Sequence, residues 1–214
     1  MNNLKFYTVP YEYIQFLQES EKAVRGFSRV PNLDYGANRN QKFVCGVVLN
    51  IKESNYFAPI TSYKTKMPDN FLIFNDKKNK VLSSLRFNYM FPIPKGIEKP
   101  YDFSNITDKK YRFLVLQEYQ YCVNNQDEIR RLAHRTYKRV LLGKDKGLVH
   151  NSCAFKLLEQ KCAEYTKEKA QAYTQTQTQS LADKIKSAQQ KADKANQETA
   201  AKNIQPKRNK GQEL

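Results

Sequence analysis

Two aliphatic hydroxyls and an amine lie close together in the segment Thr61-Ser62-Tyr63-Lys64. A phosphodiester that is being cleaved needs hydrogen-bond donors for its non-bridging oxygens and a fixed cation for the charge that develops. Thr61, Ser62 and Lys64 can supply both, and Lys66 adds a further cation. The pattern T-S-x-K is common, so by itself it also fits an ordinary strand end.

A second group of candidates lies in the upstream loop GFSRVPNLDYGANRNQ and just after it. Tyr35 can stack on a base or hydrogen-bond a phosphate. Arg39 and Lys42 add positive charge, and Lys42 opens the next predicted strand, where it can lie beside a neighbouring strand. The alternative is a solvated loop without a ligand.

The segment from Glu128 to Leu142 predicts a basic helix, with acidic residues in its first turn and basic residues towards its end. Its cations are Arg130, Arg131, Arg135, Lys138 and Arg139. They spread around the helix, so one part can be solvated while Arg130 and Arg131 follow a phosphate backbone. No pattern brings His134 and His150 together for acid–base chemistry.

Strands of a sheet must position the hydroxyl cluster. Strands are predicted over residues 4–9, 42–51, 56–61, 71–74 and 82–93, and a helix over 11–24. The strands 42–51 and 56–61 form a hairpin with a turn at Ser54-Asn55. Thr61 therefore stands at a strand-to-loop junction, where a rigid support meets solvent.

The second half of the chain has helical periodicity. Helices are predicted over 108–123, 127–142 and 153–170, with Asn125 and Ser152 as N-caps and Gly143 as a helix end. The fold class is α+β: a compact twisted antiparallel sheet that curls towards a barrel, with packed helices. We predict one domain over 1–172 and a low-complexity tail over 173–214, disordered or a frayed helix.

The formal net charge of +16 predicts a polyanionic partner, either nucleic acid or an anionic membrane. No apolar run is long enough to span a membrane, and the start has no signal-peptide pattern, so a cytoplasmic location is expected. The four cysteines are scattered, which predicts buried thiols. Because metal motifs and paired acidic motifs are absent, neither a metal nor another cofactor is predicted.

The predicted hairpin carries a more specific motif, GVVL at 46–49 followed by YFAPITSYK at 56–64. This strand pair resembles the hallmark of the ToxN/AbiQ/CptN toxins of type III toxin–antitoxin systems. KFYTVPYEYIQFL, LRFNYMFPIP, KKYRFLVLQEYQYCVNNQDEI and GKDKGLVHNSCAFKLLEQKCAEY also resemble family segments. The resemblance covers about residues 4–167.

The resemblance implies a fold similar to MazF-like toxins and a metal-independent endoribonuclease. Attack of a ribose 2′-hydroxyl on the neighbouring phosphate would leave a 2′,3′-cyclic phosphate and a 5′-hydroxyl. The implied partners are cellular or phage RNA substrates and a repeat pseudoknot RNA antitoxin, which the toxin processes. With this RNA the toxin would form a ring-like assembly, from a protein that is monomeric alone. The implied role is abortive phage defence in the bacterial cytoplasm.

Carried over by motif, Thr61, Ser62 and Lys64 form the active site. Lys64 neutralises the phosphorane charge or protonates the leaving 5′-oxygen, and the hydroxyls hold the phosphate or the 2′-hydroxyl. Tyr35 and Lys42 match a loop Tyr and a Lys that contact substrate in the family.

The chain departs from the family pattern in the long helix. Some members have a Tyr five residues after the position that matches Tyr111, and here that place falls on Leu116. Tyr119 and Tyr121 are the nearby aromatic candidates.

Two other functions fit the same composition. A non-catalytic RNA- or ribosome-binding protein shares the basic, aromatic character. A DNA-binding regulator would use residues 128–142 as a recognition helix, but no helix-turn-helix partner is evident. Loss of toxicity on Lys64→Ala with folding intact would separate the enzyme from both.

Overall fold

The computed structural model of the chain describes residues 3–33, 42–52, 54–75, 77, 79–169, 171, 186 and 189. The chain divides into two compact units, Met1–Thr166 and Lys167–Leu214. Apart from residues 186 and 189, the predicted tail over 173–214 lies outside the described residues. Its character and the predicted boundary at residue 172 therefore stay predictions.

The first unit contains a seven-stranded antiparallel sheet. Its strands are β1 (Lys5–Thr8), β2 (Val44–Ile51), β3 (Ser54–Thr61), β4 (Asn70–Phe74), β5 (Val81–Arg86), β6 (Phe91–Ile93) and β7 (Lys99–Pro100). The order is β4-β5-β3-β2-β1-β7, and β6 also pairs with β3. Within the described residues β4 and β7 do not pair, so the sheet is open and does not close into the predicted barrel. The likeness to MazF-like toxins stays a prediction.

Strand β3 is paired on both of its edges. One edge faces β2. On the other edge, Ile60 and Thr61 face β5, while residues 55–57 face β6, and a 3-10 turn at Phe87–Tyr89 separates the two partners. Thr61 therefore ends a strand that the sheet holds from both sides, which limits how far its backbone can move.

The β2–β3 hairpin turns after Ile51 rather than at Ser54-Asn55. Ile51 pairs with Ser54 and Asn50 with Asn55, and Lys52 has a left-handed φ of 54°. The amide of Asn50 donates to the side-chain oxygen of Asn55 at 2.6 Å. The ladder therefore continues through two pairs, Asn50–Asn55 and Ile51–Ser54, where the turn was predicted, so the predicted turn position is wrong.

Helices cover the sheet, which confirms the α+β class. They are α1 (Tyr11–Arg25), α2 (Lys109–Asn124), α3 (Gln126–Leu142), α4 (Lys146–His150) and a last helix over residues 155–169. Gly143 ends α3 with a left-handed φ of 68°, as predicted. In the described part of the chain, none of these helices is both long and apolar enough to cross a membrane.

Asn125 occupies the N-cap position of α3, as predicted, but its side chain does not cap the helix, and the predicted cap at Ser152 is wrong. The side-chain amide of Asn125 donates backwards to the carbonyl of Tyr121 instead of capping α3. The hydroxyl of Ser152 donates to the carbonyl of Leu148. The last helix is capped from a distance instead, because the Ala154 N–H donates to a carboxylate on α1.

The core is aromatic, and a partly buried group of polar side chains lies at its edge. The hydroxyls of Tyr56 and Tyr137 donate to one oxygen of Glu159 at 2.8 and 2.6 Å, and Lys156 donates to the other oxygen at 2.9 Å. Burial opposes the charge of Glu159, but the hydrogen bonds from Tyr137, Lys156 and Tyr56 outweigh it, so its pKa is lowered. The four cysteines are free and buried, as predicted.

Candidate active site

The hydroxyl of Thr61 lies in a small polar network where β3 ends. Ser84 on β5 donates its hydroxyl to the carbonyl of Tyr63 at 2.6 Å. The Thr61 hydroxyl is 3.4 Å from the Ser84 hydroxyl and accepts from the Tyr63 N–H at 3.4 Å. Because Ser84 is buried on a paired strand, it fixes both Thr61 and the chain that follows.

The loop after β3 is shaped by the buried side chain of Asn70. Its amide donates to the carbonyl of Thr65 at 2.8 Å, and its oxygen accepts from the Met67 N–H at 2.9 Å. Lys66 donates to the Asn70 carbonyl at 3.0 Å, so this ammonium already serves the loop. Arg135 of α3 closes the far side with a bond to the Pro68 carbonyl.

Ser62 and Lys64 stand on the exposed side of this loop. Within the described residues the Lys64 ammonium makes neither a hydrogen bond nor an ion pair. It is therefore available to a ligand, in contrast to Lys66.

A cleft of about 300 Å³ opens beside Thr61, and we call it the Thr61 cleft. It is lined by residues 28–33, Lys42, Pro59, Ile60, Thr61 and Tyr89. Lys42 thus lies beside the neighbouring strand, as its position before β2 predicts. Tyr35 and Arg39 lie outside the described residues.

Glu21, which is fully buried on α1, hydrogen-bonds to the segment 28–30 that forms one side of the Thr61 cleft. One carboxylate oxygen accepts from the Ser28 hydroxyl at 2.8 Å and from the backbone N–H groups of Arg29 and Val30 at 2.6 and 3.2 Å. The other accepts from Arg25 at 2.8 Å and from Ala154 at 2.6 Å. Glu21 therefore ties the cleft lining to the start of the last helix.

Arg25 completes this buried network. Its guanidinium donates to the carbonyls of Ser152, Val149 and His150 at 2.7, 3.4 and 3.1 Å. It also lies 4.5 Å from the ring centroid of Phe27, which packs against His150. Sequence patterns did not single out Glu21 or Arg25, because both resemble the solvated charges of an ordinary helix.

Arg130 and Arg131 lie elsewhere, in a pocket of about 730 Å³ that we call the Arg130 pocket. It is lined by Asn3, Tyr7, Val47, Val48, Leu49, Asn50, Asn55, Arg130, Arg131 and His134. Asn55 and Thr61 are at opposite ends of β3, about 20 Å apart at the usual rise per residue. The structure therefore separates these arginines from the Thr61 cleft.

The two histidines and the helix aromatics have separate surroundings. His134 lines the Arg130 pocket, whereas His150 packs on Phe27 at 5.0 Å. Leu116 is exposed. Tyr119 packs against Phe6 and Phe103, and Tyr121 against Phe71 and Phe74, so both contribute to packing. Among the described residues, no three His, Cys, Asp or Glu side chains are grouped to hold a metal ion.

The protein is thus of the basic α+β class, with a hydroxyl and a lysine in one cleft at a strand end that is held on both edges. These are groups of the kind that stabilise a phosphodiester under attack. The sequence matches the family described as "Toxin ToxN, type III toxin–antitoxin system" over residues 5–163. The chain belongs to this family.

Characterised relatives agree with this membership. The chain is 33% identical over 186 residues to Endoribonuclease ToxN of Bacillus thuringiensis subsp. kurstaki, covering 80% of this chain and 88% of the relative. It is 29% identical to Endoribonuclease ToxN of Pectobacterium atrosepticum, covering 77% and 95%. It is 27% identical to Endoribonuclease AbiQ of Lactococcus lactis subsp. lactis, covering 77% and 91%.

Solved structures give the same result for the fold. One, from work on selective toxin inhibition by a non-coding RNA pseudoknot, has a TM-score of 0.67 and 29% identity, covering 77% of this chain and 99% of that one. AbiQ, described as a lactococcal anti-phage endoribonuclease, has a TM-score of 0.66 and 26% identity, covering 78% and 99%.

Proposed function

We propose that this chain is an endoribonuclease toxin of a type III toxin–antitoxin system and that it cleaves RNA without a metal ion at the Thr61 cleft. The observation that carries the proposal is the meeting of Thr61 and Lys42 in one cleft at the end of a fixed strand. Membership of the ToxN family, with relatives named endoribonucleases, supports the same activity.

The proposed reaction uses a nucleophile that RNA itself carries. The ribose 2′-oxygen attacks the neighbouring phosphorus, and the bond from phosphorus to the 5′-oxygen breaks. The 2′-hydroxyl gives up a proton and the 5′-oxygen takes one up, leaving a 2′,3′-cyclic phosphate and a 5′-hydroxyl. A protein can accelerate such a step by alignment and charge stabilisation, so no cofactor is required.

The hydrogen bonds around Thr61 leave its proton available to substrate. A hydroxyl carries one proton, and Ser84 already donates its own to the Tyr63 carbonyl at 2.6 Å. In the pair of hydroxyls 3.4 Å apart, Thr61 is therefore the donor. Since a good O–H···O bond is about 2.5–3.0 Å long, Thr61 can donate more strongly to a phosphate oxygen.

Lys64 and Ser62 complete the proposed catalytic group. The Lys64 ammonium neutralises the charge of the phosphorane or protonates the leaving 5′-oxygen. Ser62 shares with Thr61 the task of holding the phosphate or the 2′-hydroxyl. Tyr35 and Lys42 are the further residues proposed to contact the substrate.

The proposed inhibitor is a repeat pseudoknot RNA, which the toxin processes and with which it forms a ring-like assembly, while the protein alone is monomeric. Solved relatives come from work on RNA pseudoknot inhibition and on a processed non-coding RNA in an antiviral system, which supports this partner. The proposed phosphate contacts are Arg39, Lys66, Arg130 and Arg131. The proposed role is abortive phage defence in the bacterial cytoplasm, carried out by a domain over residues 1–172.

The test is incubation of the purified protein with a long RNA in EDTA, followed by chemical analysis of the new ends. Wild type should produce discrete cuts with 2′,3′-cyclic phosphate and 5′-hydroxyl ends. Lys64→Met should reduce the rate by roughly 10²–10³-fold, which is typical for loss of one group that stabilises developing charge. Lys95→Met, which removes an exposed lysine outside the Thr61 cleft, should cleave like wild type.

Both proteins must be shown to be folded and free of copurifying RNA. Intact RNA with such a wild-type protein would contradict the proposal and favour the non-catalytic RNA-binding function. Cleavage that requires a divalent cation would contradict the metal-independent reaction.

A further inference from the structure

The side chain of Arg86, at the end of β5, lies between two tyrosine rings. Its guanidinium carbon is 5.0 Å from the ring centroid of Tyr63 and 4.9 Å from that of Tyr89. The side chain is only 15% exposed. Stacking on aromatic faces holds the guanidinium plane in one orientation without using its N–H donors.

These donors are unused in the described part of the chain. The guanidinium of Arg86 makes no hydrogen bond there, and its Nε is buried without a partner. The nearest carboxylate oxygen, on Asp69, is 3.8 Å away, which is beyond hydrogen-bond distance. A buried donor left without a partner is unfavourable, and a ligand that brings an acceptor would remove this cost.

Arg25 provides the internal contrast. It is similarly shielded, at 17% side-chain exposure, yet its guanidinium donates to one carboxylate and three carbonyls. The fold can therefore satisfy a buried arginine with its own groups, and it does not do so for Arg86.

Arg86 is not among the residues that line the Thr61 cleft, but the sheet places it close to Thr61. Ser84 faces Thr61 across the β3–β5 ladder, and Arg86 is two residues further along β5, so both side chains are on the same face. Of its two ring neighbours, Tyr89 lines the cleft and Tyr63 lies next to Lys64 in the chain. Arg86 is therefore on the same face of the sheet as the residue that faces the proposed catalytic hydroxyl, and one of its ring neighbours lines the cleft.

We propose that Arg86 is a catalytic residue that binds the reacting phosphate. Its planar fork donates to the non-bridging oxygens and carries the negative charge that grows on them during attack by the 2′-oxygen. A guanidinium matches two phosphate oxygens in a way that an ammonium cannot. This inference rests on the proposed function. With charge stabilisation assigned to Arg86, Lys64 is left to protonate the leaving 5′-oxygen.

The competing explanation is that Arg86 only joins the two tyrosine rings. Three variants separate the explanations: Arg86→Met, Arg86→Lys and Arg86→Ala. Single-turnover cleavage of an RNA with one cut site should fall by roughly 10²-fold or more in Arg86→Met. Arg86→Lys should recover part of the loss, and guanidinium chloride at non-denaturing millimolar concentration should raise the rate of Arg86→Ala but not of wild type. Arg139→Met removes a half-exposed arginine paired with Asp145 and should leave the rate unchanged.

A second readout does not depend on turnover. The affinity for the same RNA, with a 2′-deoxy nucleotide at the cut site to prevent cleavage, is measured at several salt concentrations. The slope of log affinity against log salt should be less steep by about 0.7 in Arg86→Met than in wild type. The proposal is overturned if Arg86→Met cleaves as wild type does. It is also overturned if its loss of rate follows its loss of thermal stability, with no guanidinium rescue and an unchanged salt slope. Failure of wild type to cleave would instead count against the proposed function, and the salt slope would still test the phosphate site.

Discussion

The two ends of the β2–β3 hairpin carry two concave basic surfaces that hold their cations in different ways. In the Arg130 pocket, Arg131 makes two hydrogen bonds to Glu128 at 2.7 and 2.6 Å, and Arg130 lies 3.9 Å from Asp127. Near the end of β3 that carries Thr61, Lys64 makes no ion pair among the described residues, and Arg86 makes no hydrogen bond there, although it lies 3.8 Å from Asp69, about as far as Arg130 from its own carboxylate. The clear difference between the two surfaces is therefore between Arg131, which is hydrogen-bonded to a carboxylate, and Lys64, which is not.

This difference separates two uses of positive charge. A cation that is already paired attracts a polyanion weakly and costs little to keep in place. A cation without an acceptor in the protein can form a strong charge-assisted hydrogen bond to a ligand, because it does not have to break an existing bond first. Under the proposed function, the end of the hairpin with the Arg130 pocket would serve general RNA contact, and the end with the Thr61 cleft would serve the chemistry.

The largest expected effect is on the network that supports the Thr61 cleft, which has no counterpart at the Arg130 pocket. Glu21→Ala removes the carboxylate that neutralises the Arg25 guanidinium and leaves the N–H groups of Arg29, Val30 and Ala154 without this acceptor. We expect a loss of about 3–5 kcal/mol in the free energy of unfolding, as for other broken buried ion pairs. Urea denaturation measures it.

Glu19→Ala on the exposed side of the same helix is the matched control and should change stability by less than about 0.5 kcal/mol. Equal stability of Glu21→Ala and this control would show that the buried network does not hold the cleft.

The next effect concerns the Thr61 hydroxyl alone. Thr61→Val removes the hydroxyl but keeps the branched shape, so the cleavage rate should fall by roughly 10–100-fold, the value of one hydrogen bond to a charged oxygen. Thr61→Ser keeps the hydroxyl and should retain most of the rate. Single-turnover kinetics with saturating protein provide the measurement, and equal rates for Val and wild type would remove Thr61 from the chemistry.

The smallest effect is expected at the Arg130 pocket. The double variant Arg130→Met/Arg131→Met should leave the cleavage rate at saturating protein unchanged and weaken RNA binding only several-fold. The slope of its log RNA affinity against log salt should become less steep by at most about 0.7 for each phosphate that the variant no longer binds. A cleavage rate that falls as far as in Lys64→Met would break the distinction between the two surfaces.

Much of the fold could be predicted because its periodicities are local. The strand that ends at Thr61 and the helix that ends at Gly143 lie where alternation and turn residues place them. Turns and caps each depend on a single hydrogen-bond partner, which the sequence pattern does not indicate. Asn55 bonds across the hairpin to Asn50 instead of forming the turn, and Ser152 bonds to the Leu148 carbonyl instead of capping a helix.

The candidate site could be predicted only in its contiguous part. Thr61, Ser62 and Lys64 are neighbours in the sequence. The sequence could not show whether Arg130 lies with them, and the fold places it in a different pocket. Glu21 acquires its role only when residues 149–154 return to α1, and Arg86 occupies an ordinary alternating position of a strand. Burial by segments distant in the sequence leaves no local signal.

The dependence of the cleft lining on Glu21 also sets an order of events during synthesis. Ala154 and the carbonyls of residues 149–152 bond to Glu21 and Arg25, although they are translated long after residues 28–33. A nascent chain that has not yet emerged beyond residue 154 lacks these bonds, and its cleft lining is not fixed. Under the proposed function, a growing polypeptide therefore lacks a fixed substrate cleft until the segment around residue 154 has been made.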